Sequence, residues 1–152
     1  MTKKHSDFVQ ESINRELKKA TVNENRLLNF LNSKTSRTFK KTNKYDCFDL
    51  KSKNKDSTIY IELKTRFIRK DQYPTTIIGT NKIEHAQKKC KQQHRRFLYV
   101  FEYDGEYYYI EHNPKLFNGF PTKIITRRDR QVSKLHTEIP VRLLHPICDL
   151  EL

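Results

Sequence analysis

A carboxylate and an ammonium two positions apart occur twice with the same letters, at Glu16-Leu17-Lys18 and at Glu62-Leu63-Lys64. Such a pair can act on one ligand only if the backbone turns both side chains the same way. In a helix, residues i and i+2 diverge by about 200°, so Glu16 and Lys18 cannot converge. In a strand they project from one face. The run T-I-Y-I-E-L-K-T-R at 58–66 alternates as a strand does, which aligns Tyr60, Glu62, Lys64 and Arg66 in one row. Ile59, Ile61, Leu63 and Phe67 are then expected to face a core. Without further acids nearby, Glu62 and Lys64 would amount to a weak solvated pair.

Three neighbours supply more. Y-D-C-F-D-L at 45–50 reads as the preceding strand, joined to 58–68 through the turn S-K-N-K-D-S. A hairpin centred between Lys55 and Asp56 sets Asp49 opposite Glu62, whereas one centred on Asn54 sets Asp46 there. Spacing alone leaves both open, and both acids could simply flank a turn. Either pairing holds two carboxylates beside an ammonium, a donor set suited to a hard cation such as Mg²⁺. Glu24 falls in line with the apolar stripe Leu27, Leu28 and Leu31; a buried acid there needs a partner or a role, although its place in a first helical turn also suits the helix dipole. Lys82 follows Asn81 at a helix start, where a positive charge is unfavourable unless it serves an anion such as phosphate.

The elements that would carry these residues follow from periodicity. Val9, Ile13, Leu17 and Ala20 predict an amphipathic helix over 7–20, and a second helix is expected over 23–32. Residues 33–44 read as a loop. A third helix is expected near 81–93, capped by Asn81 with Glu84 closing a capping box. Residues 96–103 and 107–111 form a hairpin around Asp104-Gly105, and a further strand is expected near Lys123–Thr126. Prolines limit any helix in 139–148. Helices and hairpins in this order describe a mixed α/β chain, expected to be one domain over 1–152.

Composition narrows the partner. The 152 residues carry 31 Lys and Arg against 18 acids, a formal charge of +13. That excess favours a polyanion, nucleic acid above all, over mere solubility. With nine Phe and eight Tyr, Tyr99, Tyr103, Tyr107 and Tyr109 offer either base-stacking surfaces, as in a non-catalytic DNA- or RNA-binding module, or filling for a β-rich core. Three cysteines without C-x-x-C spacing exclude a zinc ribbon and a disulfide framework. No apolar signal region or membrane-length apolar run is visible, so an intracellular setting without membrane contact is expected. The histidines have no metal-ligand spacing, and neither a P-loop nor a G-x-S-x-G elbow occurs.

Taken together, Glu24, Phe48-Asp49, Ile61-Glu62-Leu63-Lys64-Thr65-Arg66 and Asn81-Lys82 resemble the PD-(D/E)XK nuclease superfamily over about residues 24–90. Within it the pattern is most similar to archaeal Holliday-junction resolvases and small phage or large-DNA-virus nucleases. The family proline before the aspartate is missing here, and the Phe-Asp-Leu setting favours Asp49 over Asp46. The resemblance implies a restriction-endonuclease-like α/β fold, a mixed β-sheet flanked by helices. It also implies Mg²⁺- or Mn²⁺-dependent hydrolysis of DNA phosphodiesters. In that reading Asp49, Glu62 and Glu24 hold metal, Lys64 assists the attacking water, and Arg66 and Lys82 grip DNA phosphates. Branched, Holliday-junction DNA as substrate and a two-fold homodimer follow from the resolvase likeness. A chain of this family that has lost activity remains compatible with the same letters.

Overall fold

One long helix opens the fold where two were expected. α1 (His5–Lys34) runs unbroken for 30 residues, because nothing between 20 and 23 is Gly or Pro; Thr21 Oγ1 is accommodated within it by donating to the Leu17 carbonyl at 2.9 Å. The computed structural model describes residues 5–92, 94–127 and 132–152. Residue 93 at the expected end of the third helix, and the basic residues Arg128 and Arg130, lie outside the described residues.

Only the C-terminal half of α1 meets the core. Leu27 and Leu31 are fully buried, whereas Leu17 is 62% exposed, so the expected apolar stripe over 7–20 does not face the sheet. After Lys34 the chain is turned back by Asn32, whose side chain accepts from Phe39 N–H at 2.7 Å and donates to the Phe39 carbonyl. The expected loop 33–44 therefore contains a short edge strand, β1 (Lys40–Lys41).

β2 (Leu50–Lys53) and β3 (Thr58–Arg66) make the expected hairpin, but β2 starts five residues late. Residues 45–49 are held in turns instead, where Asn43 Oδ1 accepts from Tyr45 and Asp46 N–H. β3 stops at Arg66, leaving Phe67 84% exposed rather than in the core. β4 (Thr75–Gly79) and α2 (Thr80–Lys89) then cross to β5 (Arg95–Tyr103), which lies parallel to β3. The cap of α2 is Gly79, not Asn81. A Cβ on Gly79 would stand 2.7 Å from the Asn81 side-chain oxygen, a close approach that only glycine allows without shifting that side chain.

β5 and β6 (Glu106–Glu111) form the second expected hairpin. Asp104 and Gly105 take φ of 49° and 80°, the left-handed pair its tight turn requires. Beyond it come a short helix, α3 (Pro114–Asn118), and the hairpin β7 (Thr122–Arg127) and β8 (Val132–Pro140), followed by β9 (His145–Pro146). β7 contains the expected strand; β4, α3 and β8 are additional. Asn113-Pro114 signals α3 by cap and first-turn chemistry, since Asn113 Oδ1 accepts from Leu116 N–H.

The result is a six-stranded mixed sheet in the order β1-β2-β3-β5-β6-β9 and a three-stranded sheet β4-β8-β7. The mixed sheet flanked by helices agrees with the restriction-endonuclease-like α/β fold expected. Alternation along β3 and β5 divides the core. Ile59, Ile61, Leu63, Leu98 and Val100 pack with Leu27 and Leu31 of α1. Phe97, Tyr99 and Phe101 pack with Phe48, Ile83 and Ala86 and with Ile78 and Ile139 of the small sheet. Burial of Tyr99, Tyr103 and Tyr107, each at most 8% exposed, makes them core filling and not stacking surfaces. Among the described residues no helix is long and apolar enough to cross a membrane.

Candidate active site

The pairing register places Asp49, and not Asp46, opposite Glu62. Leu50 stands opposite Ile61, so the next step of the ladder brings Asp49 to Glu62. Asp49 N–H donates to the Ile61 carbonyl at 3.0 Å. β2 ends there, and the Asp49 carboxylate takes over from its backbone, with Oδ2 accepting from Leu63 N–H at 2.9 Å. Asp46 is instead occupied in its own turn, where Oδ2 accepts from Asn43 N–H.

Glu62 is 2% exposed. Burial, and then the nearby Asp49 carboxylate, push its pKa up to about 7, against the pull of Lys64 and Lys82. Its Oε1 accepts no hydrogen bond. Lys82 Nζ stands 3.3 Å from that oxygen, at ion-pair distance but without hydrogen-bond alignment, and donates to the Cys47 carbonyl. Lys82 lies in the first turn of α2, which contains no acid of its own. The acid that offsets its charge comes from β3.

Glu24 approaches from α1. Burial and the Asp49 charge raise its pKa, while Lys41 lowers it. Asp49 thus sits between two carboxylates delivered by different layers. Two residues along, Arg26 Nη2 donates to the buried Glu102 at 2.6 Å, and Thr65 donates to the same oxygen at 3.2 Å. This clamp fixes α1 against the end of β3. Its signal in the sequence is an acid inside the apolar run F-L-Y-V-F-E-Y, which calls for a buried partner.

Lys64 is half-buried in the row of Glu62, and with Glu24, Lys19, Arg66, Phe67 and Arg127 it lines a cleft of about 450 Å³ between α1 and the end of β3. Arg66 differs from the expectation of a free phosphate-gripping side chain. Its Nε donates to Thr76 Oγ1 at 3.3 Å and its Nη2 to the Ile77 carbonyl at 2.5 Å, bracing β4 against β3. Burial lowers its pKa.

Among the described residues no three His, Cys, Asp or Glu side chains already form a metal cage. A magnesium ion needs none, because it keeps several waters and takes one or two carboxylates plus phosphate oxygens. The donor set fits that habit. Two carboxylates are opposed on adjoining strands, and one of them presents a buried oxygen that no hydrogen bond satisfies.

A family model described as "Phage putative PDDEXK endonuclease" matches residues 15–147. No curated protein matches the chain.

Proposed function

The chain belongs to the phage PDDEXK endonuclease family, a family of nucleases, and from that premise we propose that it hydrolyses DNA phosphodiesters with a divalent cation, Mg²⁺ or Mn²⁺, at Asp49 and Glu62. The observation that carries this reading is the buried Glu62 Oε1, which accepts no hydrogen bond, in a carboxyl group beside Asp49 and in the same strand row as the cleft residue Lys64. When bound, the cation would acidify water and neutralise phosphoryl oxygens.

The remaining chemistry belongs to the chain. Asp49 is held in place by the Leu63 amide, so one carboxylate is oriented before any ligand arrives. Glu24 reaches the same aspartate from α1 and orders the water around the metal site. Lys64 aligns the attacking water and offsets charge developing on the phosphorus oxygens, a stronger effect in a partly dry cleft than in water. Lys82 lies within reach of the same phosphate once Glu62 has a competing partner. Arg66 acts through β4, which its guanidinium braces. The cleft cations position the strand and do not read its sequence. The narrower form of the proposal, cleavage of branched DNA by a two-fold dimer, rests on the resolvase likeness and on one cleft per chain needing a second copy to cut two strands. The alternative of a non-catalytic binder loses support because three of its four proposed stacking tyrosines, Tyr99, Tyr103 and Tyr107, are core residues, Tyr109 alone being half-buried.

Supercoiled plasmid, four-way junctions and linear duplex incubated with Mg²⁺, Mn²⁺ or EDTA test the reading. Cleavage should require metal and fall at least about 100-fold in Asp49→Asn, Glu62→Ala and Lys64→Ala. Asp46→Asn should cut normally. Cleavage in EDTA, or loss of activity in Asp46→Asn but not Asp49→Asn, would overturn the assignment.

A further inference from the structure

Phe67 follows the E-x-K strand directly, and its ring is 84% exposed. Alternation along β3 would have turned it inward, but the strand ends at Arg66 and the chain bends away. The segment 67–74, F-I-R-K-D-Q-Y-P, is rooted at both ends: Ile68 packs on the core and the Pro74 carbonyl accepts from Val141 N–H at 2.9 Å. Between the roots it offers a second exposed ring, Tyr73, with the exposed Arg69. Phe67 lines the cleft shared with Lys19, Lys64, Arg66 and Arg127 and with the acids Glu16 and Glu24, so that cations outnumber acids there, and Tyr73 lines an adjoining hollow with Lys70 and Lys123.

Such surroundings select the occupant. A bare phenyl ring gains from an apolar face, yet the cations beside it attract an anion. A nucleotide whose base is out of its pair meets both demands, because the backbone takes the cations and the base lies on the ring. In intact duplex the base faces are already stacked inside and cannot reach Phe67. We infer that Phe67 stacks on an unpaired base beside the scissile phosphate, so that the site takes DNA strands with frayed, flapped or single-stranded nucleotides in preference to continuous duplex. This rests on the nuclease reading and names the substrate class of the same cleft.

Binding in EDTA tests the inference apart from cleavage, by anisotropy on a continuous duplex and on a flapped duplex with 2-aminopurine at the branch. Wild type should bind the flap about tenfold more tightly, and Phe67→Ala should erase that preference while leaving duplex affinity within about twofold. Phe67→Trp should restore the preference, and 2-aminopurine quenching should follow the aromatic ring. The exposed position leaves the core of these variants untouched, and thermal melting checks their folding. Retention of flap preference in Phe67→Ala, equal losses on both DNAs, or no binding of either DNA by wild type would overturn the inference. So would sedimentation showing that Phe67→Ala dissociates a wild-type dimer, since the ring would then belong to a second copy. Flap preference without metal-dependent cutting would sink the nuclease reading and leave the stacking intact.

Discussion

Glu62 sets the residue scale, because its burial links protonation, stability and metal binding. Its folded pKa of about 7 exceeds the ordinary 4.5. Between those values the folded chain holds a proton that the unfolded chain has lost, so stability declines as pH rises through that window. The decline amounts to about 3 kcal/mol at most. Glu62→Gln should therefore melt near wild type at pH 5 and several degrees above it at pH 8, and parallel curves at the two pH values would refute the linkage. Lys82 supplies the opposite charge at 3.3 Å. Lys82→Met should raise Mn²⁺ affinity about tenfold, measured by calorimetry at pH 8.5, since a cation no longer competes for Glu62. Unchanged affinity would confine Lys82 to phosphate contacts.

At the scale of elements, α1 does two different jobs along its length. Its C-terminal half packs Leu27 and Leu31 on the sheet, and its N-terminal half presents Leu17 largely to solvent. Leu27→Ala should cost about 2–5 kcal/mol in denaturant unfolding, and Leu17→Ala should stay within about 0.5 kcal/mol. Similar losses in both would mean that the whole helix is docked. The division has a functional consequence, because Glu24 and Arg26 stand where packing begins. The Arg26–Glu102 clamp holds that boundary against β3 and so fixes the wall of the cleft.

For the whole molecule, a net charge of +13 governs encounter with DNA. If about five phosphates are neutralised, log affinity should fall with log salt at a slope of about −4.5. A slope near −1, measured by anisotropy between 50 and 300 mM salt (chosen, on the order of physiological strength), would place few of these cations on the strand. The crossing from β3 through β4 and α2 to the parallel β5 is what brings Lys82 over Glu62.

Local patterning by itself determined the strand parity of Glu62 and Lys64, the Asp104-Gly105 hairpin and the basic surface. These depend on period-two alternation, turn chemistry and composition, all of which are local. It also narrowed the aspartate opposite Glu62 to Asp46 or Asp49, and the register placed Asp49 there by setting Leu50 against Ile61. Tertiary structure alone decided the rest. It joined two expected helices into one, buried Tyr99, Tyr103 and Tyr107 and engaged Arg66 with β4. It also exposed Phe67, which a strand one residue longer would have turned inward. Where a strand ends and which layer covers it depend on partners distant in sequence, and no spacing rule encodes them.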